Sequence, residues 1–397
     1  MDIRTLIDAY MGCRSNKLRS PDSVMFSLHE ERDLARLCRD VNNRTLVPFL
    51  YAFIAPRPAP REVIACLMQG KILQYYFDLH IRPKTEALLT GRTFNNRIGY
   101  GPEKAIERLH EDIRRVSENY TRDCYVITRD ITAYFPSTNL DRSYRHYREL
   151  IEREYPEGET RDDLLFILQR TNYAYPDIHA RLRSPRWKWD PIIRAGKSII
   201  FNARPGRGAC LGNQYWQVEK NFDLNDFDHF QVDTCGLHYC RFVDDMVWVV
   251  QNKKAALAHV ALSERMLLEE YGYKMHQRKR YCQHFSKGVK FIGSWLKYDR
   301  TYVGERVIRH AKEAITTWNR NASASNLEHF LGSINSYLGL MKHRDAYGII
   351  RFLVEKVSPR WSRFCTYDDT RRCFVAVPGY RHNEILKRKY HFKTRKK

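Results

Sequence analysis

The stretch "YCRFVDDMVWVV", residues 239–250, sets two adjacent carboxylates, Asp244 and Asp245, between two short apolar runs. Aromatic and β-branched residues on both sides of a tight turn read as a β-hairpin. An aspartate pair in such a turn is ordinary by itself, because aspartate side chains accept hydrogen bonds from turn backbone. A third carboxylate changes the reading. "CYVITRDI" alternates as a buried strand that ends at Asp130, and "ITAYFPS" follows it, with Pro136 as the stop. Three carboxylates at strand ends that meet in space make a hard-cation site, suited to Mg²⁺ with its oxygen ligands and retained waters, with Mn²⁺ as a substitute. Two such ions about 3.5–4 Å apart suit an in-line phosphoryl displacement, in which a 3′ hydroxyl is activated and pyrophosphate leaves. Without cations the three groups repel and raise one another's pKa.

The surroundings of this acidic pair are basic. Lys and Arg number 68 against 46 Asp and Glu, a formal charge of +22 spread along all 397 residues. Such a surface attracts polyanions, nucleic acid above all. At 43% apolar content the chain can bury a large core, and its length suits two or three lobes. No segment reaches the ~18 consecutive apolar residues of a membrane span, and "MDIRTLIDAY" lacks the apolar stretch of a signal peptide, so a cytoplasmic protein is expected. The ten cysteines are scattered without a C-x-x-C pair and read as reduced, buried thiols rather than a zinc site or disulfide framework.

Along the chain, residues 22–40 mix charge with the apolar positions Leu28, Leu34 and Leu37 and read as a helix. "RTLVPFLYAFIAPRPAPREV" reads as a hairpin or extended arm, and residues 61–80 as a helix interrupted at Gly70. "YGPEKAIERLHEDIRRVSENY" is a helix with Pro102 in its first turn, and "AALAHVALSERMLLEEYGYK" another, stopped by Gly272. Residues 152–208 read as an insertion or surface connector, "VKFIGSWLKYDRTYVG" as a hairpin, and 306–357 as two or more helices.

Five motifs in order across roughly residues 60–300 resemble those of the bacterial reverse transcriptases. "RDITAYFPS" is similar to motif A, "GACLGNQYWQ" to the motif B turn, "RFVDDMVWV" to motif C, and "YGYKMHQRKR" with "VKFIGSWL" to motifs D and E. The resemblance implies an α+β right-hand polymerase. Residues 1–120 would form an N-terminal region and fingers, 121–300 a palm with an antiparallel sheet, 301–358 a helical thumb, and 359–397 a basic C-terminal extension. It also implies roles. Asp130 and Asp244 would bind the metals, with Ile131 beside Asp130 in the metal and substrate contacts, and Asp245 would assist or orient them. Phe135 matches the steric gate that excludes a ribose 2′-hydroxyl, so the product should be DNA made from deoxynucleoside triphosphates. Lys279, flanked by Arg278 and Arg280, matches the lysine that protonates or neutralises leaving pyrophosphate. Arg61 and Lys71 match positions that grip the triphosphate. Gly208 and Gly212 permit close backbone approach, while Asn213 and Gln217 can bond a nascent base pair or the template; a plain strand-to-helix turn explains the glycines equally well.

"LGN" with Gln217, "SINSYLGLMKH" and "PRPAPREV" are similar to reverse transcriptases of diversity-generating retroelements and their defence-associated relatives. Tyr215 and Trp216 stand where Thr-Ser is usual, Phe242 replaces a tyrosine, and "FNNRIGYGPEKA" departs from a basic Gly-Lys-Gly pattern. Bulky aromatics beside the templating base would alter selectivity. The resemblance implies a structured noncoding RNA template copied in antiphage defence, with a mutagenic retroelement, an RNA-binding scaffold on the same fold and an RNA-dependent RNA polymerase as alternatives. An accessory protein or a second copy is a possible partner. The basic stretch from Lys387 to Lys397 would hold phosphate or remain a solvated end, and Tyr390 is a candidate priming hydroxyl.

Overall fold

The computed structural model describes residues 1–15, 20–56 and 59–380; the basic stretch from Lys387 and Tyr390 lies outside the described residues. The chain divides into two compact units, Met1–Ala105 with Ile127–Cys282, and Ile106–Val126 with the chain from Gln283 onward. The fold is mixed α and β with antiparallel pairing in its sheets.

In the first unit, β1 (Leu50–Ala55) and β2 (Arg61–Cys66) form an antiparallel hairpin in register from Leu50 opposite Cys66 to Ala55 opposite Arg61. Residues 61–66 therefore pair as a strand, and the expected helix begins only at Met68, running to Leu88 through Gly70 and Pro83. Short apolar runs carry no decisive period, and here pairing with β1 decides. The helix expected over 22–40 is two helices, Pro21–Ser27 and Glu30–Asn42, with Leu28 exposed at the break.

Residues 152–208 are not a surface connector. The helix Glu159–Asn172 buries Leu164, Ile167 and Leu168 in the same core as the long helix Met68–Leu88. Its buried Asp163 accepts from Arg44 Nη1 at 2.8 Å. A few residues on, β4 (Ala180–Leu182) adds to β1 in parallel. Charged and proline-containing flanks disguised this segment, whose apolar residues are the continuous run Leu164–Leu168 with no helical period to read.

The second sheet contains β3 (Tyr125–Asp130), β5 (His238–Phe242), β6 (Asp245–Val250) and β7 (Tyr281–His284), in the order β5–β6–β3–β7. The helix Lys253–Glu269 contributes Ala256, Val260 and Leu267 to a core shared with Ile127, Tyr239, Met246 and Trp248. Inside this core β5 carries a fully buried arginine. The Arg241 guanidinium donates through Nε and Nη2 to both oxygens of the buried Asp228, at 2.9 and 2.6 Å, while Tyr239 donates to the same carboxylate at 2.8 Å. Its remaining donors reach the carbonyls of Lys220, Asn221 and Val243 at 3.0–3.2 Å.

In the second unit, β8 (Val289–Phe291), β9 (Ser294–Lys297) and β10 (Arg300–Val303) make a three-stranded meander where a single hairpin was expected. Helices Glu305–Arg320, Leu327–Met341 and Tyr347–Glu355 share a core with Trp361 and Phe374. The expected C-terminal extension is thus folded as far as it is described. There β11 (Cys365–Asp368) and β12 (Cys373–Ala376) form a hairpin, and the Asn335 side chain exchanges two 2.7 Å hydrogen bonds with the Phe374 backbone. No helix among the described residues is long and apolar enough to cross a membrane.

Arg241→Met strands Asp228 as a buried charge and should cost about 3–5 kcal/mol of stability. Urea unfolding checks this: the single variant should show a much lower midpoint than Arg241→Met combined with Asp228→Leu, which removes both charges. Equal midpoints would rule out the pair as an organising contact.

Candidate functional site

The two strand ends that carry the acidic residues are neighbours. Asp130 ends β3, β3 lies beside β6, and β6 begins at Asp245. Phe242 pairs with Asp245, leaving Val243 and Asp244 as the two turn residues. The Ile131 amide donates to the Asp244 carbonyl at 3.3 Å, which ties the end of β3 to the turn. Ile131 itself is buried, with its side chain in the core shared by Ile127 and Met275. Across the other edge, the Asp130 carbonyl accepts from His276 N–H at 2.7 Å and the Lys274 carbonyl from Thr132 N–H at 2.8 Å. This pairing delivers Lys279, whose ammonium reaches Asp130 Oδ2 at 2.7 Å. The lysine side chain is otherwise largely exposed, whereas Asp130 is buried.

Burial, joined by the charge of Asp130, pushes the Asp244 carboxyl up to about 6, against the pull of Lys279 and Arg61. Burial, then Asp244 and Asp130, push Asp245 up to about 7. The three carboxylates therefore feel one another, and the nearby cations leave negative charge uncompensated. That donor set, all hard oxygen, fits a divalent cation such as Mg²⁺. Among the described residues no three His, Cys, Asp or Glu side chains are gathered closely enough to hold a metal ion, and Lys279 takes one oxygen of Asp130.

The other expected site residues divide. Arg61 opens β2 and its charge acts on Asp244. Lys71 instead donates to Asp22 Oδ2 at 2.7 Å, with its ammonium 5.9 Å from the Tyr51 ring centroid, so that lysine is committed to a different carboxylate. Phe135 is half-buried, its ring edge-on to Tyr134 at 6.1 Å, and its carbonyl accepts from Ala209 N–H at 2.9 Å. This bond joins the motif A turn to the glycine-rich one. Gly212, at φ +120°, lies on β2: a Cβ there would come within 2.8 Å of the Ile64 carbonyl oxygen, and Ile64 N–H donates to the Leu211 carbonyl at 2.7 Å.

Asn213 departs from its expected role. Its side chain is buried and its Oδ1 accepts from the Cys66 thiol at 3.1 Å, so it anchors the turn to the end of β2 and does not present itself to a base pair. Tyr215 and Trp216 are likewise core residues. Tyr215 packs edge-on against Phe77 at 5.7 Å and donates to Asn172 Oδ1 at 3.0 Å, and both aromatics are committed to the core. Gln217 is half-buried and is held by Asn96, whose Nδ2 donates to its Oε1 at 3.1 Å.

Three contributors escaped the motif reading. Arg241, Asn95 and Asn96 all bond the turn or the Gln217 helix, and their only signals were a charged residue inside a buried strand and the unusual "FNNR".

No protein-family model and no curated protein matches the chain. Among solved structures it is similar to Candida albicans telomerase in complex with a TWJ fragment of telomeric RNA, at 11% identity and TM-score 0.46, over 81% of this chain and 57% of that one. It is also similar to Candida tropicalis telomerase with the same kind of fragment, at 11% identity and TM-score 0.44, over 79% and 59%. A third similarity is to apo Candida tropicalis telomerase truncated from its C-terminal domain, at 12% identity and TM-score 0.42, over 62% and 53%. The chain thus spans a little over half the length of these telomerases.

Because the Asp245 pKa is raised in the fold, its stabilising contribution is complete below the unfolded value of 3.8 and is lost as pH rises through about 7. Asp245→Asn removes that loss. Without metal, the variant should melt several degrees above wild type at pH 8, from about 1–2 kcal/mol after allowing for partial exposure, and level with it near pH 4. Thermal melts across this range provide the check, and Mg²⁺ should narrow the gap at pH 8.

Proposed function

We propose that the chain is an RNA-directed DNA polymerase. The observation that carries this reading is the meeting of Asp130 and Asp244 at adjoining strand ends, bonded through the Ile131 amide, with Asp245 next in line and Lys279 on Asp130. Such a trio needs cations, and the long-range positive charge of the chain suits a polyanion. Asp130, Asp244 and Asp245 would hold Mg²⁺, or Mn²⁺ in its place. When bound, the metal supplies a Lewis acid for an attacking 3′ hydroxyl and for the leaving pyrophosphate.

The chain's own groups set the rest. Lys279 holds a proton beside Asp130 and can neutralise or protonate the leaving group. Arg61 brings a guanidinium toward the turn from β2, placed for a triphosphate. Phe135 stands after the motif A turn as the ring that excludes a 2′-hydroxyl, which makes DNA the product. In the right-hand description, the β1–β2 hairpin belongs to the fingers, the β5–β6–β3–β7 sheet to the palm, and the helices after Glu305 to the thumb. The motif resemblance favours a dedicated structured noncoding RNA as template, in a defence-associated system; a diversity-generating retroelement is the second reading, favoured by "LGN" with Gln217.

Primer extension on an RNA template with deoxy- and ribonucleotides tests the proposal. Asp244→Ala with Asp245→Ala should lower extension by at least about 10³-fold while the folded protein still retains RNA. Wild-type-like extension by that double variant would end the assignment. In the same assay Phe135→Val should raise ribonucleotide over deoxynucleotide incorporation, and an unchanged ratio would make Phe135 a packing residue only.

A further inference from the structure

The turn that presents Asp244 and Asp245 is strained. Val243, its first residue, has φ +57°. A two-residue hairpin usually places Gly, Asn or Asp at such a position, because a β-branched side chain clashes with the backbone there. Strain of this kind costs on the order of 1–3 kcal/mol and persists only where neighbours overdetermine it. Two groups do so here. Val243 N–H donates to Asn95 Oδ1 at 2.9 Å, and the Val243 carbonyl accepts from Arg241 Nη1 at 3.0 Å.

The segment carrying Asn95 is fastened to the same strand. Phe94 N–H donates to the Arg241 carbonyl at 3.1 Å, and Arg241 N–H to the Arg92 carbonyl at 2.9 Å. Thr93 makes an isolated parallel bridge with Arg241, so this segment is held against β5 at that residue. Arg97 closes the segment behind them, with Nη1 on Thr93 Oγ1 at 2.9 Å and Nε on Glu86 at 2.7 Å. The next residue turns the other way. Asn96 sits at φ +50°, and its Nδ2 donates to Gln217 Oε1 at 3.1 Å and to the Gln217 carbonyl at 3.2 Å.

We propose that Asn95 and Asn96 are positioning residues, a two-armed clasp that fixes the acidic turn through Val243 and the helix Gln214–Phe222 through Gln217. The proposal rests on the polymerase reading and adds to it the residues that set the spacing between carboxylates and the selecting glutamine. Each arm has a separate consequence. Loss of the Asn95 arm frees the turn and disturbs the carboxylates, whereas loss of the Asn96 arm frees Gln217 alone. Outer partners of this kind commonly govern metal affinity or rate by about 10–100-fold.

The experiment compares full-length wild type, Asn95→Ala, Asn96→Gly, Val243→Gly and Asn95→Ala with Val243→Gly. Mn²⁺ binding is titrated without nucleic acid, thermal melts report folding, and primer extension gives kcat and nucleotide KM. Asn95→Ala should weaken Mn²⁺ binding about 10-fold or more and lower kcat with little change in KM. Val243→Gly accepts positive φ without strain and should restore at least part of both in the double variant. Asn96→Gly keeps the backbone conformation and should raise nucleotide KM with Mn²⁺ binding unchanged. Wild-type Mn²⁺ affinity in Asn95→Ala would overturn the proposal, as would a double variant no better than the single. If Asn95→Ala does not fold, an Asn96→Gly protein with wild-type KM would overturn it instead. Weakened Mn²⁺ binding in Asn95→Ala, together with no extension by wild type, would leave the clasp standing and remove the polymerase reading.

Discussion

The Arg241–Asp228 pair is the contact on which the acidic turn depends. A guanidinium buried without partners would be prohibitively costly, so every donor must find an acceptor, and the acceptors it finds define the site. Asp228 takes the charge. The carbonyls of Lys220 and Asn221, near the C-terminal end of the Gln214–Phe222 helix, take two more donors, where a cation also suits the helix dipole. The last goes to Val243 in the turn itself. One side chain thereby joins the helix that carries Gln217 to the hairpin that carries Asp244. Lys220 extends the network from the same helix end, reaching Asp223 at 2.9 Å and the Tyr273 hydroxyl at 2.8 Å, with Tyr134 donating to its carbonyl.

This buried network is largely paired, and the contrast with the site above it is informative. Arg241 meets Asp228, Lys220 and Arg142 both meet Asp223, and only Glu219 beside Lys220 is left pushed up to about 7 by burial. At the turn, a backbone hydrogen bond, Lys279 and Arg61 at Asp244, and Lys279 alone at Asp245, do not offset burial and repulsion between the carboxylates. Glu219 is a single carboxyl beside a lysine, whereas Asp244 and Asp245 repel each other as well as being buried, so the turn is where an external cation gains most.

The chemistry-bearing residues were legible because they lie at strand ends, where period and turn signals are strongest. Lys279 reaches Asp130, and Asp244 and Asp245 lie close enough to Asp130 to be raised by its charge; the strands that end at Asp130 and flank the aspartate pair fall where their alternation puts them. Two kinds of feature were not legible. Residues 61–66 and 159–172 depend on partners distant in sequence, β1 for one and the Met68–Leu88 helix for the other, so local pattern misjudged both. Side-chain direction was the second. Asn213 and Lys71 stand at positions that suit a substrate, yet Cys66 and Asp22 claim them, and no spacing rule reports such a partner.

The helix from Gln214 to Phe222 shows how direction decides function. Successive residues on a helix point about 100° apart, so Tyr215, Trp216 and Gln217 cannot share one face. The two aromatics take the core, where Tyr215 meets Phe77 and Tyr147, and their bulk sets how closely this helix packs on its neighbours. Gln217 is turned toward Asn96 on the segment that also holds the acidic turn. The unusual aromatics are therefore packing residues. Gln217 is the polar side chain of the three that stays partly exposed, and its position is inherited from Asn96 and from Arg241, which bonds the end of the same helix.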